Sequence, residues 1–380
     1  MELNCTPDLA EMRPAVRRFV TRRLEPLARQ IDATGEIPAA ALAELRSQGY
    51  LGMRLPAEAG GGGFDLSTYC LVMEEVARSH RVFTLMLDAS SGLTPIGIAR
   101  HGTATQRTKY LPRLADGSWL ASFGLTEPEA GSDASALHTR AEKREGGWSI
   151  TGLKHYISGA HKAQVILVFA VNDAARRARG GITAFLVDAN TPGMTIDRVD
   201  KTIGSDPIQL SELRFDDCFV PDDAVLGEVG HGFAIAMGSL ASGRMGVSAA
   251  CIGTADRLIE LAVDHAKTRQ TFGSALSERQ AIQWMLADSA TELALARALA
   301  YEALRRIDAG EDTGTATSMV KLHCSEMVGR VADRVVQIFG GGGLIRGVPV
   351  ERFYRDVRHY RIGEGSSEIQ RMLIARELLA

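Results

Sequence analysis

Near its C-terminus the chain reads RIGEGSSEIQR, Arg361 to Arg371. Glu364 stands there between Gly363 and Gly365, with little side-chain bulk on either side. Ser367 and Gln370 have capping-box spacing, which predicts a helix starting immediately downstream. A carboxylate so placed is either a solvated turn residue or a reactive group that something large can approach. The geometry suits the second without demanding it.

Other stretches carry chemistry that is open in the same way. TEPEAGSD, Thr126 to Asp133, is a loop fixed by Pro128 and Gly131. It is either an acidic turn or a site where Ser132 and backbone N–H groups hold an anion or a polar ring edge. In KHYIS, Lys154 to Ser158, strand alternation puts Tyr156 and Ser158 on one face, as an ordinary half-buried strand or as a ring and hydroxyl against a planar cofactor. RQTFG, Arg269 to Gly273, ends a long helix, where Arg269 can answer a phosphate or the helix dipole. Phe339 is followed by Gly340 to Gly343, which end a helix and permit close backbone approach. That run is not a G-x-G-x-x-G after a strand, so a Rossmann-type dinucleotide fold is not supported.

The elements that must position these residues fall into stretches of different texture. From Pro7 to Trp119 apolar residues recur at helical spacing, as in Leu42, Leu45 and Leu51, interrupted by the loop AGGGGF at 59–64. Between Ala121 and about Gly230 come short β-favouring runs, WSITGLKHYIS, QVILVFAV, ITAFLVDA, MTIDRV and ELRFDDCFVP, separated by glycine and proline turns. Strands without intervening helices predict an antiparallel, barrel-like sheet. After Gly232 the helical period returns over 232–270, 278–309 and 315–339, with Val328, Val331, Val335, Ile338 and Phe339 as an apolar stripe. Glu326, Arg330, Asp333 and Gln337 form its polar counterpart. The expected architecture is α+β and mostly α: an N-terminal helical domain (1–120), a central β domain (121–231) and a C-terminal four-helix bundle (232–380).

Composition narrows the class. The 380 residues exceed what one core usually holds, and 45% hydrophobic with 23% charged residues describes a soluble globular protein. A formal net charge of -3 offers no electrostatic case for nucleic acid. Arg17, Arg18, Arg22 and Arg23 have the spacing of one solvated helix face. MELNCTPDLAEMRPAVRRF lacks a signal-peptide core, and no uninterrupted apolar run reaches membrane-spanning length. The 5 cysteines (Cys5, Cys70, Cys218, Cys251, Cys324) form no C-x-x-C pair, and the 9 histidines are scattered. Reduced thiols in a cytoplasmic protein without a metal site are expected.

Taken together and in order, these stretches resemble the acyl-CoA dehydrogenase family over nearly the whole chain. The resemblance is carried by LTEPEAGSD (125–133), GLKHYIS (152–158), FVPDDAVLGEVGHGF (219–233), RQTFG (269–273), QIFGGGG (337–343), ERFYRDVR (351–358) and GEGSSEIQ (363–370). It implies FAD held among a helical domain, a β domain and a helical bundle, in a homotetramer built as a dimer of dimers. By motif position it implies flavin contacts from Leu125, Thr126, Ser132, Tyr156 and Ser158, and from Ser366 and Glu368. Arg269, Thr271, Phe272, Gln280, Gln337, Gly340 and Gly341 match positions that grip a neighbouring subunit's FAD. Arg244, Gly365 and Arg376 match substrate-binding positions.

The resemblance makes Glu364 the general base, removing the α-proton of an acyl thioester while a β-hydride passes to flavin N5. A carboxylate is a weak base in water, so burial has to strengthen it. The backbone N–H of Glu364 and a flavin ribityl hydroxyl are the implied donors to the thioester carbonyl. A second family position for the base, directly before Arg244, is Gly243 here, which leaves Glu364. The implied substrate is an acyl-CoA and the implied electron acceptor an electron-transfer flavoprotein.

Departures from the family pattern widen the reading. Ala241 replaces an aspartate that contacts coenzyme A, which leaves room for a thioester on an acyl-carrier protein. Gly363 stands where many members have tyrosine; the missing ring is expected to widen the pocket for branched, cyclic or aromatic acyl groups. Tyr156 stands for the usual tryptophan and Ser158 for a threonine. An oxygen-using oxidase or monooxygenase on the same fold and a catalytically silent flavoprotein are the competing functions; the intact Glu364 argues against the silent one.

Overall fold

The computed structural model describes residues 7–205, 207–311 and 313–380. Cys5 and the expectation for the first residues of the chain lie outside them. The helical first third comprises α1 (Pro7–Phe19), α2 (Glu25–Thr34), α3 (Ala39–Ser47), α4 (Leu66–Ala77), α5 (Arg81–Ser91), α6 (Leu93–His101) and α7 (Ala104–Ala115). Strands follow: β1 (Ala121–Gly124), β2 (Arg140–Arg144), β3 (Gly147–Ser158), β4 (Val165–Val171), β5 (Ile182–Asp188), β6 (Met194–Asp200) and β7 (Leu210–Pro221). Then come α8 (Gly232–Thr268), a hairpin of β8 (Gln270–Thr271) and β9 (Ser274–Ala275), α9 (Gln280–Asp308), α10 (Gly314–Phe339), α11 (Pro349–Val357) and α12 (Ser367–Leu378). The long C-terminal helices start and stop within about two residues of the periodicity.

By compactness the chain forms two units that do not follow chain order. One comprises Met1–Ala41, Asp65–Thr84 and Arg244–Ala380; the other comprises Leu42–Phe64 and Leu85–Gly243.

In the first unit α10 presents Val328, Val331, Val335 and Ile338 as a buried stripe. Each such side chain contributes about 1.5–3 kcal/mol when fully removed from water. Helices α4 and α8 cross closely at Gly253, where a Cβ would overlap the Glu74 carbonyl oxygen at 1.7 Å. At that crossing a buried charge cluster replaces apolar packing. Glu74, 2% exposed, takes Arg13 from α1 and Arg297 and Tyr301 from α9. Arg17 grips fully buried Glu75 through two hydrogen bonds of 2.8 Å. The basic N-terminal cluster is therefore not uniformly solvated: Arg17 faces a carboxylate that the sequence places on another helix.

The second unit is built on a 7-stranded sheet of order β1-β4-β2-β3-β7-β6, with β5 on β4. Pairing is antiparallel along β2–β3, β3–β7, β6–β7 and β4–β5, and parallel where β4 meets β1 and β2. Strands β1 and β2 escape the sequence pattern because one is four residues long and the other mostly charged. One face packs Leu167, Phe169, Ala184 and Leu186 against α6 and α7; the other closes over Ile150, Val168, Phe185 and Phe215.

Arg81–His101 and Gly232–Thr268 are long and apolar enough to cross a membrane by length and composition, although no uninterrupted run marks them. Their apolar windows are 72% and 61% buried in the protein, as in core helices. Cys218, Cys251 and Cys324 are buried free thiols, and Cys70 is buried.

Candidate active site

Glu364 lies in the turn between the short helical segment Arg358–Arg361 and α12, and it takes φ 56°. Gly365 follows with φ 88°. A left-handed backbone at a non-glycine residue costs about 1–3 kcal/mol and persists only where its surroundings hold it. Lys321 Nζ, from α10, donates to the Gly365 carbonyl at 2.7 Å, and Gln370 Nε2, from α12, donates to the same oxygen at 2.9 Å. Both side chains are fully buried.

Arg244 of α8 completes this group, its guanidinium 3.9 Å from where a Cβ on residue 365 would stand. Its Nε is buried and makes no hydrogen bond among the described residues, a donor left for a ligand. Burial pulls the Arg244 guanidinium and the Lys321 ammonium below their usual ranges, and the charge of Glu364 opposes that on both.

The cap differs from the expected one. Ser366, not Ser367, is the N-cap of α12, its hydroxyl accepting from Ile369 N–H at 3.4 Å. Ser367 Oγ instead donates to Glu326 on α10 at 2.6 Å, and Gln370 serves the turn of Glu364 and Gly365 rather than the helix end. Capping-box spacing could not separate these roles, because the competing partners come from α10 and the turn itself. Glu368 is exposed in the first turn of α12 and Arg376 in its last.

Gly363 is also not as expected. A Cβ there would stand 2.6 Å from His359 Nε2 and 3.1 Å from its Cε1. The space that a missing tyrosine ring was expected to leave beside the backbone is filled by an imidazole.

A second group gathers where α8 and α10 end. Phe339 stacks on His265 with ring centroids 4.2 Å apart, which joins the run before Arg269 to the run before Gly340. The hairpin after Arg269 turns through Phe272 (φ 48°) and Gly273 (φ 82°), the positive-φ pair of a tight two-residue loop. Phe272 is 100% exposed, with the Arg279 guanidinium 5.7 Å from its ring centroid. Arg279 also hydrogen-bonds Thr271 Oγ1 at 3.3 Å. Arg269, Gln280 and Gln337 are exposed. At Gly340, Gly341 and Gly342 a Cβ would meet nothing within 4 Å, so the backbone there is open to a ligand.

The third group belongs to the second unit. A bulge between Lys154 and Ile157 and a left-handed Tyr156 (φ 58°) turn the tyrosine outward, 57% exposed and stacked on His155 at 3.9 Å. Ser158 is exposed and follows buried Ile157, but the bulge and the left-handed Tyr156 interrupt the simple alternation on which the expected shared face rested. His155 N–H donates to the Thr126 carbonyl at 2.9 Å, joining the 125–133 loop to β3. Leu125 has its side chain in the core, which leaves only its backbone for a cofactor; Ser132 is exposed.

Beneath that junction lies an ion pair. Lys154 is fully buried and donates to Glu127 Oε1 at 2.7 Å and to the Leu125 carbonyl at 3.1 Å. Glu127 also accepts from His138 N–H at 2.6 Å and Thr139 N–H at 3.0 Å. Burial pushes the Lys154 ammonium down to about 8 against the pull of Glu127. Burial alone would raise Glu127, but Lys154 and these hydrogen bonds hold it below the usual carboxylate range.

Lys321, His359 and the Lys154–Glu127 pair went unmarked in the sequence. Lys154 and Glu127 carry one signal: both charges sit inside the quoted motifs, one of them in a strand otherwise rich in buried residues. Lys321 carries none, since its partner is a backbone carbonyl 44 positions away.

FAD is a planar ring joined through pyrophosphate to adenosine, and each unit by itself exposes groups that suit a part of it. In the second unit the exposed ring of Tyr156 suits stacking; in the first, the exposed ring of Phe272 does, and the open Gly340–Gly342 backbone and Arg269 suit phosphate.

Three family models match, described as acyl-CoA dehydrogenase N-terminal domain over residues 6–118, middle domain over 122–218 and C-terminal domain over 230–379. An acyl-CoA dehydrogenase of Bacillus subtilis (strain 168) is 36% identical over 377 residues, covering 99% of each chain. The structure of butyryl-CoA dehydrogenase from Megasphaera elsdenii superposes with TM-score 0.93 at 34% identity, covering 100% of both chains. That of PigA with FAD and proline does so with TM-score 0.94 at 27% identity, covering 100% of this chain and 99% of that one. On these matches, spanning the chain from end to end, it belongs to the acyl-CoA dehydrogenase family.

Proposed function

We propose that the chain catalyses FAD-dependent α,β-dehydrogenation of an acyl-CoA to the trans-2-enoyl thioester, with Glu364 as general base. The observation that carries this is the held turn: a strained carboxylate residue whose following carbonyl is fixed by two buried donors, Lys321 and Gln370. Bound FAD supplies an acceptor for the β-hydride. The chain's own part begins with Glu364, whose carboxylate takes the α-proton and whose backbone N–H polarises the thioester carbonyl. Lys321 and Gln370 keep that N–H and the carboxylate from reorienting. Arg244 holds the thioester end with its spare donor, and Arg376, exposed in the last turn of α12, meets the adenine end of coenzyme A.

Tyr156, Ser158, Thr126, the Leu125 backbone, Ser132, Ser366 and Glu368 hold FAD in this reading. Arg269, Thr271, Phe272, Gln280, Gln337, Gly340 and Gly341 grip the FAD of a second copy in a homotetramer; the wholly exposed Phe272 and the exposed Leu344 and Ile345 support that assembly. An electron-transfer flavoprotein is the electron acceptor, and the buried free thiols favour a cytoplasmic setting. The three family-model spans support domains at 1–120, 121–231 and 232–380. Anaerobic titration of the flavin-loaded enzyme with acyl-CoAs tests the reaction: wild type bleaches and Glu364→Gln does not. Bleaching of Glu364→Gln at the wild-type rate would falsify the assignment.

A further inference from the structure

Glu364 stands midway between two residues that one side chain on α10 holds. Arg361, before it, pairs with Glu326, Nε to Oε2 at 3.2 Å. Ser367, after it, donates its hydroxyl to Oε1 of the same carboxylate at 2.6 Å. The segment 361–367 is thus tied at both ends to one group, one oxygen for each end.

Helix α10 is shaped to receive the first of these ties. A Cβ on Gly329, one turn beyond Glu326, would stand 2.9 Å from Arg361 Cζ and 3.0 Å from its Nε, and closer still to Nη2. Gly329 has no positive φ and lies inside the helix, where alanine would be the stronger helix former. Its lack of a side chain lets the guanidinium lie across α10. Arg361 and Glu326 are both partly exposed, so their pairing adds little to stability by itself. What lies between the ties is strained, with φ of 56° at Glu364 and 88° at Gly365. Lys321 and Gln370 hold the carbonyls of Gly365 and, more loosely, Glu364. Neither reaches Arg361; the tie to Glu326 anchors the entry of the turn to the same helix that holds its exit.

Resting on Glu364 as the base, we propose that Glu326 is a positioning residue for the reaction. Its carboxylate closes the strained turn at both ends, through Arg361 seated on Gly329 and through Ser367, and so sets the direction in which Glu364 presents its own.

The test compares flavin-loaded wild type with Glu326→Ala, Glu326→Gln, Gly329→Ala, Arg361→Ala and the double variant Gly329→Ala with Arg361→Ala. It reads Tm, hydrogen exchange of the segment 358–371, and anaerobic flavin reduction by whichever of a straight, a branched and an aromatic acyl-CoA reduces wild type fastest. Glu326→Ala should speed exchange of that segment about tenfold, because the turn opens locally more often. It should slow the limiting rate of reduction about tenfold or more and leave the half-saturating thioester concentration within about twofold, since a misaimed base loses rate and not affinity. Glu326→Gln still accepts from both donors and should recover most of that rate. Gly329→Ala should keep or raise Tm, yet slow reduction by lifting the guanidinium off α10. Added to Arg361→Ala it should slow reduction no further, a non-additivity expected of side chains that share one place. Unchanged exchange in Glu326→Ala, a lowered Tm with the rate intact, a glutamine variant no better than the alanine one, or additive losses in the double variant each overturn the proposal. If Glu326→Ala does not accumulate folded, the glutamine variant and the Gly329–Arg361 cycle decide by the same criteria. Should no thioester reduce the wild-type flavin, the assigned reaction falls, while exchange still decides whether Glu326 closes the turn.

Discussion

Lys321 reaches from the middle of α10 to the carbonyl of Gly365, so the residue after Glu364, the proposed base, is held from another helix at 2.7 Å. The ammonium is fully buried and sits among Glu364, Arg244 and Cys251, with burial the dominant influence on it. A buried cation spent on one backbone oxygen is an expensive way to gain stability. It is a direct way to fix a turn that carries a left-handed glutamate. Lys321→Met should therefore leave Tm and FAD content near wild type but slow flavin reduction by about tenfold or more, the loss expected when a charged hydrogen bond of about 1.5–3 kcal/mol is removed. Stopped-flow reduction beside a thermal melt separates these; a large fall in Tm with an unchanged rate would make Lys321 a packing residue only.

The Lys154–Glu127 pair holds the loop of Leu125 and Thr126 against the strand of Tyr156 and Ser158. Removing one partner leaves the other buried and uncompensated, at about 3–5 kcal/mol. Glu127→Gln should cost more than Lys154→Met, because Glu127 also takes two backbone N–H groups. Both should lose FAD on gel filtration faster than wild type, and the double replacement should be milder than the sum. Equal FAD retention in all variants would separate the pair from the cofactor.

Phe272 separates ligand binding from folding, because its ring is 100% exposed and its φ is 48°. A fully exposed ring buries no apolar surface for its removal to lose, and alanine bears the same left-handed φ as phenylalanine. The change in stability is therefore limited to about 0.5–1 kcal/mol from the exposed Arg279 contact. Phe272→Ala should thus melt within a degree or two of wild type before flavin is added. Its FAD dissociation constant should rise and the proposed tetramer weaken, as read by fluorescence titration and light scattering. Unchanged affinity and assembly would remove Phe272 from the proposed contact across subunits.

How much of this was legible without coordinates depended on range. The long helices after Gly232 were, since α8, α9 and α10 each bury one stripe over many turns. So was the order of the motifs around Glu364. What escaped were features whose cause lies elsewhere in the chain. Ser366 rather than Ser367 caps α12 because Glu326, on α10, claims the Ser367 hydroxyl. Gly363 read as empty space because nothing in RIGEGSS says that the ring of His359 folds back over it. Strand β1 pairs in parallel with β4 from a segment too short to show alternation.

His359 also gives the fold a pH dependence that can be signed. Burial, with Arg81 and Lys321 facing it, places its folded-state value well below the ordinary 6.5. The unfolded chain therefore binds more protons than the folded one as the pH falls through 6.5, and stability is lost in that direction. Above 6.5 both states hold a neutral ring and the contribution is complete. Tm of the wild type should fall as the pH drops from about 7 toward 5, and His359→Gln, which cannot take up the proton, should show a shallower fall over the same window. His101, His161 and His265, whose values are also lowered, keep some slope in the variant, so the difference between the two curves is the quantity that tests His359. Parallel curves for the two proteins would mean that His359 meets its proton as readily folded as unfolded.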